Sequence, residues 1–254
     1  MADVKVEVLP GPFLQLGEAP HWDVESQSLY YVCILGSTLH RYDWKENQTY
    51  TAKLEGSTYA SFIIPVSGRQ GEFVVGSGTR LLLVAWDGLA PTATIVKVLT
   101  DLGEEEADHR FNDGKVDGQG RLYAGTMLAE DSRNHFEMDD GGETVLIKLK
   151  DDEAATEFIA DGMTSDAEGD LYVAVFAGSK IIKINPESAK IVQEIALPVA
   201  QVTSVAFGGP NLDVLFATTA AKEISIPQEP PAGAVLKITG LGARGLPMNE
   251  LQLP

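Results

Sequence analysis

Three observations predict an all-β protein arranged as a β-propeller. Short runs of β-branched and aromatic residues recur along the chain, and Gly, Asp, Asn or Pro bounds each run, as turns bound strands. No long stretch places apolar residues at helical spacing. A sequence pattern also starts again about every 40 to 50 residues, which is roughly the length of one four-stranded propeller blade.

The repeat consists of a polar residue, an Asp five positions later, a turn and then an aromatic strand. Clear copies begin at Glu18, Asn112 and Asp161, and weaker copies begin near Ser61 and Thr203. The strands that follow the turns are predicted at residues 28–32, 72–75, 121–124, 170–174 and 214–217. Five blade repeats are therefore visible.

Outer strands are predicted at residues 38–43, 145–149 and 180–186, after the aromatic strands. One more alternating strand, residues 234–238, has no complete repeat behind it. We expect residues 4–8 to pair with it and close the ring, because closure removes an exposed sheet edge. Residues 1–254 are accordingly predicted to form a single domain.

Composition restricts the partners and the compartment. The chain has 19 basic and 37 acidic residues, a formal charge of −18, so it repels nucleic acid and anionic membrane surfaces and attracts cations. The N-terminus does not resemble a secretory signal, and no apolar stretch approaches the roughly 20 residues that span a bilayer. We expect a soluble, cytoplasmic protein. Its one cysteine, Cys33, is predicted to be a small buried apolar residue rather than a nucleophile.

Equivalent positions of propeller blades lie on one ring around the central axis. The first positions of the five repeats are all oxygen-bearing: Glu18, Ser61, Asn112, Asp161 and Thr203. Converging carboxylates repel one another unless a cation or a proton intervenes, and Ca²⁺ or Mg²⁺ prefers such oxygens. The alternative is that these side chains only hydrogen-bond backbone groups. His21 and His109, which lie next to this region in sequence, either face the pocket or pack as ordinary histidines.

Six segments, taken together, resemble one known family. They are residues 17–22, 110–117 (Arg-Phe-Asn-Asp-Gly-Lys-Val-Asp), 125–127, 161–163, 202–209 and 238–242. In order, and over nearly the whole chain, they look like the regucalcin, gluconolactonase and luciferin-regenerating enzyme family, with insect members the most similar.

The resemblance implies a six-bladed propeller with a divalent metal on its axis. It implies Glu18 and Asp161 as metal ligands, and Asp161 also as a candidate catalytic base. Asn112 is a further candidate ligand because its repeat shares their register. Arg110 and Asn112 would contact the substrate, with Glu130 at the rim of the pocket. Ca²⁺ is the expected metal, and Zn²⁺, Mn²⁺ and Mg²⁺ are alternatives.

One stretch of the family pattern is absent. The family places a metal-binding Asn between the repeats that begin here at Asn112 and Asp161, whereas in this sequence Phe158-Ile159-Ala160 runs straight into Asp161. About one blade, roughly 50 residues, is missing by that comparison. A ring without it closes with five blades or stays open, and its metal site has one oxygen ligand fewer. We expect a monomer unless the absent blade leaves faces that associate.

The expected function is that of a metal-dependent, lactonase-like hydrolase acting on sugar lactones or related small esters. Its small-molecule partner would be the lactone, and its cofactor the divalent cation. One alternative is a non-catalytic, calcium-binding regulatory propeller, which the absent ligand segment favours. Another is a protein-binding scaffold, because this fold serves many functions.

Overall fold

The computed structural model describes residues 3–129, 159–222 and 228–253. Regular structure in those ranges consists of β-strands and one short 3₁₀ helix, Glu104–Glu106. The predicted all-β class is therefore confirmed. None of the helical structure in this part of the chain has the length and apolar character needed to cross a membrane.

The first two repeats form one eight-stranded sheet. Its first half contains β2 (Gly17–Asp23), β3 (Ser28–Cys33), β4 (Thr38–Asp43) and β5 (Gln48–Leu54). Its second half contains β6 (Ile63–Pro65), β7 (Glu72–Ser77), β8 (Arg80–Ala85) and β9 (Thr92–Asp101). Each half is an antiparallel meander, and a short parallel contact between β5 and β9 joins their outermost strands.

Three further sheets follow. The first pairs β10 (His109–Val116) with β11 (Leu122–Leu128). The second is a meander of β12 (Ile159–Ser165), β13 (Leu171–Phe176), β14 (Lys180–Asn185) and β15 (Lys190–Ala196). The third contains β16 (Val202–Gly208), β17 (Val214–Thr219), β18 (Leu236–Thr239) and, at its outer edge, β1 (Lys5–Val8). The predicted outer strand at residues 145–149 lies outside the described residues.

The N-terminal strand completes the sheet that contains the last repeat. β1 runs antiparallel to β18, with Lys5 opposite Thr239 and Val8 opposite Leu236. The two ends of the chain are thus joined within one sheet, which gives β18 a partner on both sides. A pairing of this kind fixes the first strand against the last repeat.

The Asp that recurs in the repeat forms the turn after each inner strand. A side-chain oxygen of Asp23 accepts a hydrogen bond from the backbone N–H two residues later, at 2.9 Å. Asp117 makes the same bond at 2.9 Å, and Asp166 makes it at 3.1 Å. Such Asx turns reverse the chain tightly and place the following aromatic strand beside the inner strand.

Aromatic side chains pack between neighbouring sheets and between the two halves of the eight-stranded sheet. The contacting pairs are Trp22 with Phe216, Tyr30 with Phe73, Phe62 with Phe111 and Tyr172 with Phe207, with ring centroids 4.9 to 6.4 Å apart. Burial of such rings dominates core energetics, and removing one typically costs about 3–5 kcal/mol. The inner strands β2 and β16 are buried along most of their length, whereas β11 and β12 are largely exposed.

Candidate functional site

Each of the five predicted axial residues lies at or near the start of an inner strand, but they differ in what they contact. Ser61 and Thr203 are fully buried. The Ser61 hydroxyl donates to the Phe111 carbonyl at 2.5 Å, and the Thr203 hydroxyl donates to the Gly17 carbonyl at 2.6 Å. Each hydroxyl therefore ties its strand to the next inner strand. For these two positions, backbone hydrogen bonding is the correct interpretation.

The remaining polar positions coincide with β-bulges. The pairing register shifts between Glu18 and His21 in β2, between Phe111 and Gly114 in β10, and between Ala160 and Met163 in β12. A bulge leaves its extra residues out of the ladder and re-aims their side chains, and bulges are common beside active sites. The register also shifts between Val202 and Ser204 in β16, at Thr203, so the same local device recurs in four repeats.

Three carboxylates, Glu18, Asp113 and Asp161, lie at or beside these bulges. Burial raises the pKa of Glu18 well above its usual value, and the charges of Asp161 and Asp113 raise it further. Burial and the charge of Asp113 raise the pKa of Asp161 to about 7. The charge of Asp113 thus acts on both Glu18 and Asp161, and the charge of Asp161 acts on Glu18. The arrangement favours a proton or a cation between them.

Asp113 was missed by sequence reasoning. It follows Asn112 directly in the segment 110–117. The same segment also contains Asp117, which forms a turn. The available signal was the position of Asp113 beside the first residue of a repeat. Sequence patterns alone do not show which of the two aspartates leaves the ladder at a bulge.

Arg110 is the cation beside the carboxylates. It is 7% exposed, and its Nη1 donates to the Phe111 carbonyl at 3.0 Å and to Asn112 Oδ1 at 2.9 Å. Its guanidinium also lies 6.0 Å from the centre of the Tyr59 ring. The positive charge of Arg110 opposes the rise in the pKa of Asp161. Arg110 is thus held in place, and the Asn112 oxygen, a predicted metal ligand, is already a hydrogen-bond acceptor.

Lys222 is a second cation near this site that sequence analysis did not single out. Burial, followed by the charge of Arg110, lowers the pKa of Lys222. Its backbone is held by the buried Gln201, whose amide donates to the Lys222 carbonyl at 2.7 Å and accepts from its N–H at 3.2 Å. The site therefore combines three acidic groups with two basic ones.

Gly162 allows the close approach that places Asp161. A Cβ at Gly162 would lie 2.1 Å from Ser204 Oγ and 2.8 Å from the Ser204 Cα. Because the second atom belongs to the backbone, rotation of the Ser204 side chain would not relieve the clash. The residue after Asp161 must therefore be glycine for β12 to pack against β16 as it does.

The other predicted residues are placed as follows. His109 lies at the surface, with Nδ1 2.8 Å from Asp108 Oδ1 and 3.0 Å from Glu106 Oε2. His21 is buried, further along β2 from Glu18. Cys33 is free and buried, as predicted. Glu130, the predicted rim residue, lies outside the described residues.

Glu18, Asp113 and Asp161 have the chemistry of a cation site, but they are not close enough together to form a complete one. Buried carboxylates with raised pKa values, such as Glu18 and Asp161, are suited to hard divalent ions. Within the described ranges, however, no three His, Cys, Asp or Glu side chains are close enough together to form a complete metal site. Glu18 and Asp161 are the residues that could hold an ion, with Asp113 beside them.

The chain was then compared with known proteins. The family model described as the SMP-30/Gluconolactonase/LRE-like region matches residues 16–139 and 135–221. The chain belongs to this family. That result confirms the family assignment made from the segment that includes Arg110 and Asn112.

Curated relatives and solved structures agree. Regucalcin of Gallus gallus is 29% identical over 310 aligned positions, covering 97% of this chain and 98% of the relative. Regucalcin of Homo sapiens is 27% identical, with the same coverage. A solved luciferin-regenerating enzyme superposes with a TM-score of 0.85 at 27% identity, covering 99% of this chain and 100% of that one. A regucalcin from Agrobacterium tumefaciens has a TM-score of 0.78 at 19% identity, with 97% of each chain covered. The predicted propeller fold is thereby confirmed.

The length of the alignment bears on the absent stretch. Since 97% of 254 residues is about 246, about 64 of the 310 positions aligned with the Gallus gallus protein have no residue from this chain. That difference is similar in size to the missing blade predicted before Asp161. The position of the gap stays a prediction.

Proposed function

We propose that this protein is a metal-dependent hydrolase of sugar lactones or related small esters. The observation that carries the proposal is the electrostatic influence that Asp113 exerts on both Glu18 and Asp161, with the fixed cation Arg110 beside them. Membership of a family that includes gluconolactonases supports it.

The divalent ion would be held by Glu18 and Asp161, and by Asn112 if Arg110 released its oxygen. Ca²⁺ suits this all-oxygen set, and Zn²⁺, Mn²⁺ and Mg²⁺ are the alternatives. When bound, it would supply Lewis acidity for the lactone carbonyl. The negative charge of Asp113 would add to the attraction without requiring direct contact.

Asp161 is the proposed base. A carboxylate whose pKa lies at about 7 accepts a proton from an attacking water more readily than an ordinary aspartate does. The same residue would serve as a ligand, which is a compromise because a nearby cation lowers its proton affinity. Arg110 would orient the substrate by donating hydrogen bonds to its oxygens, and the Phe111 carbonyl and Asn112 would hold the guanidinium in position.

A second candidate function is non-catalytic calcium binding. The Agrobacterium tumefaciens structure carries the description of a calcium-binding protein. In this chain, Asn112 Oδ1 accepts a hydrogen bond from Arg110, so one potential metal ligand is already occupied. The first observation favours ion binding. The second favours little turnover, because an incompletely held ion is a poorer catalyst.

Hydrolysis of gluconolactone by the purified chain, measured with EDTA and after each of the four metals is restored, tests the first function. We expect activity that EDTA removes and a metal restores, and a loss of at least 100-fold in Asp161→Asn. Asp117→Asn is the matched control, because Asp117 forms a turn in the same motif. Metal-independent turnover, or unchanged turnover in Asp161→Asn, would overturn the proposal. Calorimetric Ca²⁺ binding without turnover would favour the second function.

A further inference from the structure

A cavity lies beyond the carboxylates along the same inner strands. Its walls are residues 19–21 of β2, 62–64 at β6, 114–116 of β10 and 164–165 of β12, each a few positions further along than the polar bulge residues. Its volume is about 270 Å³. That space equals the liquid volume of about nine water molecules, so it suits a ligand of about nine non-hydrogen atoms.

The C-terminal segment 246–249 forms the remaining wall. The Asn249 side-chain amide donates to the Val116 carbonyl at 2.9 Å. The backbone N–H of Trp22 donates to Met248 Sδ at 3.3 Å. These contacts attach the segment to β10 and to β2, so the wall is part of the folded structure.

His21 is a buried polar side chain that lines this cavity without a partner. It is 5% exposed, and its ring makes no hydrogen bond with any residue in the described part of the chain. Burial, followed by the charge of Lys115, lowers the pKa of His21 to about 3, so the ring is neutral. A neutral imidazole presents one N–H donor and one acceptor. These two groups are available to a ligand that enters the cavity.

Lys115 contributes a positive charge at the same place. It is half-buried and lines the cavity, and its ammonium forms no hydrogen bond or ion pair with the described residues. Its charge acts on both His21 and Glu18. Lys115 therefore lines the cavity, is near enough to Glu18 for its charge to act there, and provides the cavity with three N–H donors.

We propose that this cavity is a second ligand site, which binds a small organic carboxylate. The carboxylate would accept hydrogen bonds from the Lys115 ammonium and the His21 N–H, with the Thr164 hydroxyl as a further donor. The apolar part of the ligand would lie against Phe62 and Ile64, which line the same space. This site is separate from the proposed lactonase site, since it uses different side chains of β2, β10 and β12.

Isothermal titration calorimetry with benzoate, which has nine non-hydrogen atoms, tests the site in the full chain with EDTA present. The neutral analogue benzamide is the comparison ligand. We expect one benzoate per chain and at least tenfold weaker binding of benzamide. Lys115→Met should weaken benzoate binding about tenfold or more, and Thr164→Val should weaken it severalfold. Lys190→Met, at an exposed lysine of β15, should leave it unchanged.

An Arg110→Met variant distinguishes the two sites. If benzoate bound at the carboxylate cluster, Arg110→Met would abolish binding while Lys115→Met would not, and the proposal would be wrong. Absence of binding up to 10 mM benzoate, or equal affinity for benzoate and benzamide, would also overturn it. Circular dichroism melts of each variant show whether a loss of binding reflects unfolding. Thr164→Val, which removes only a hydroxyl, keeps the test valid if Lys115→Met does not fold.

Discussion

At the scale of single residues, equivalent positions of the repeat have taken two different roles. Ser61 and Thr203 carry a hydroxyl, which donates to the carbonyl of the next inner strand. Glu18 and Asp161 carry carboxylates, which as ions only accept hydrogen bonds and so make no such bond to a carbonyl. The hydroxyls therefore hold the ring together, while the carboxylates stay available for a proton or a cation.

The Asp113→Asn variant tests the mutual influence of the carboxylates. Asp113 raises the pKa of both Glu18 and Asp161, so removing its charge should lower both values. Because the proposed base works in its ionised form, the acidic limb of kcat/KM for lactone hydrolysis should move to lower pH. A pH profile at saturating metal checks this. If the acidic limb stayed in place or moved to higher pH, Asp113 would not influence the ionisation of the proposed base.

His40 makes stability depend on pH. It is buried, its nitrogens lie 2.8 Å from Thr38 Oγ1 and 2.9 Å from Thr51 Oγ1, and burial lowers its pKa to about 4. As the pH falls below about 6.5, the unfolded chain takes up a proton that the folded chain refuses until about pH 4. This difference removes about 2 kcal/mol of stability by pH 5.

Urea unfolding at pH 7 and pH 5 measures the effect. His40→Gln should lose less stability than the wild type over that interval, even if it is less stable at pH 7. Thr51→Val, which alters the same hydrogen-bonded group without removing a titrating side chain, should lose as much as the wild type. The interpretation fails if His40→Gln keeps the full pH dependence.

Sequence reasoning predicted part of the site and not the rest, for physical reasons. Glu18, Asn112 and Asp161 were predicted because the repeat places them in equivalent positions. Lys222 was not predicted, because its position near Arg110 depends on hydrogen bonds between Gln201 and the Lys222 backbone. No sequence pattern indicates those bonds. Nor does the sequence show that Arg110 occupies the Asn112 oxygen.

At the scale of strands, local signals predicted the elements but not their irregularities. The aromatic runs became β3, β7, β11, β13 and β17, and the unmatched last strand led to the expectation of a partner near the N-terminus. The bulges in β2, β10 and β12 have no composition of their own, since a register shift depends on the neighbouring strand. The parallel contact of β5 with β9 was likewise not predicted, because it joins two different repeats.

Gly162→Ala tests the close packing of β12 on β16. The added Cβ would lie 2.1 Å from Ser204 Oγ, so we expect unfolding free energy to fall by about 1–3 kcal/mol, as for overpacked cores. Lactone turnover should fall as well, since Asp161 precedes this glycine. Gly125→Ala in β11 is the control, because its Cβ would meet no atom within 4 Å. Urea titrations of both variants measure the difference, and equal stabilities would contradict the packing argument.

At the scale of the whole molecule, the sheets do not bury their inner strands equally. β2 lies against β16 and β6, and β10 lies against β7, whereas β11 and β12 expose large apolar side chains. Tyr123 is 60% exposed, Met163 49% and Leu128 41%. The predicted interruption of the family pattern, directly before Asp161, lies at the start of β12. Exposed apolar groups on strands that normally face a neighbouring sheet promote association.

The charge of −18 opposes that association, so the oligomeric state depends on the balance between electrostatic repulsion and apolar contact. Repulsion between like-charged copies is strong at low ionic strength, whereas at 1 M salt the screening length falls to about 3 Å and apolar contact is left unopposed. Sedimentation velocity should therefore show monomer in about 20 mM salt and concentration-dependent association in about 1 M NaCl. The double variant Tyr123→Ser, Met163→Gln should stay monomeric in both conditions, whereas Phe13→Ser, which removes a 58% exposed aromatic ring elsewhere, should associate as the wild type does. Salt-independent behaviour, or association that the double variant does not reduce, would show that these strands are covered in solution.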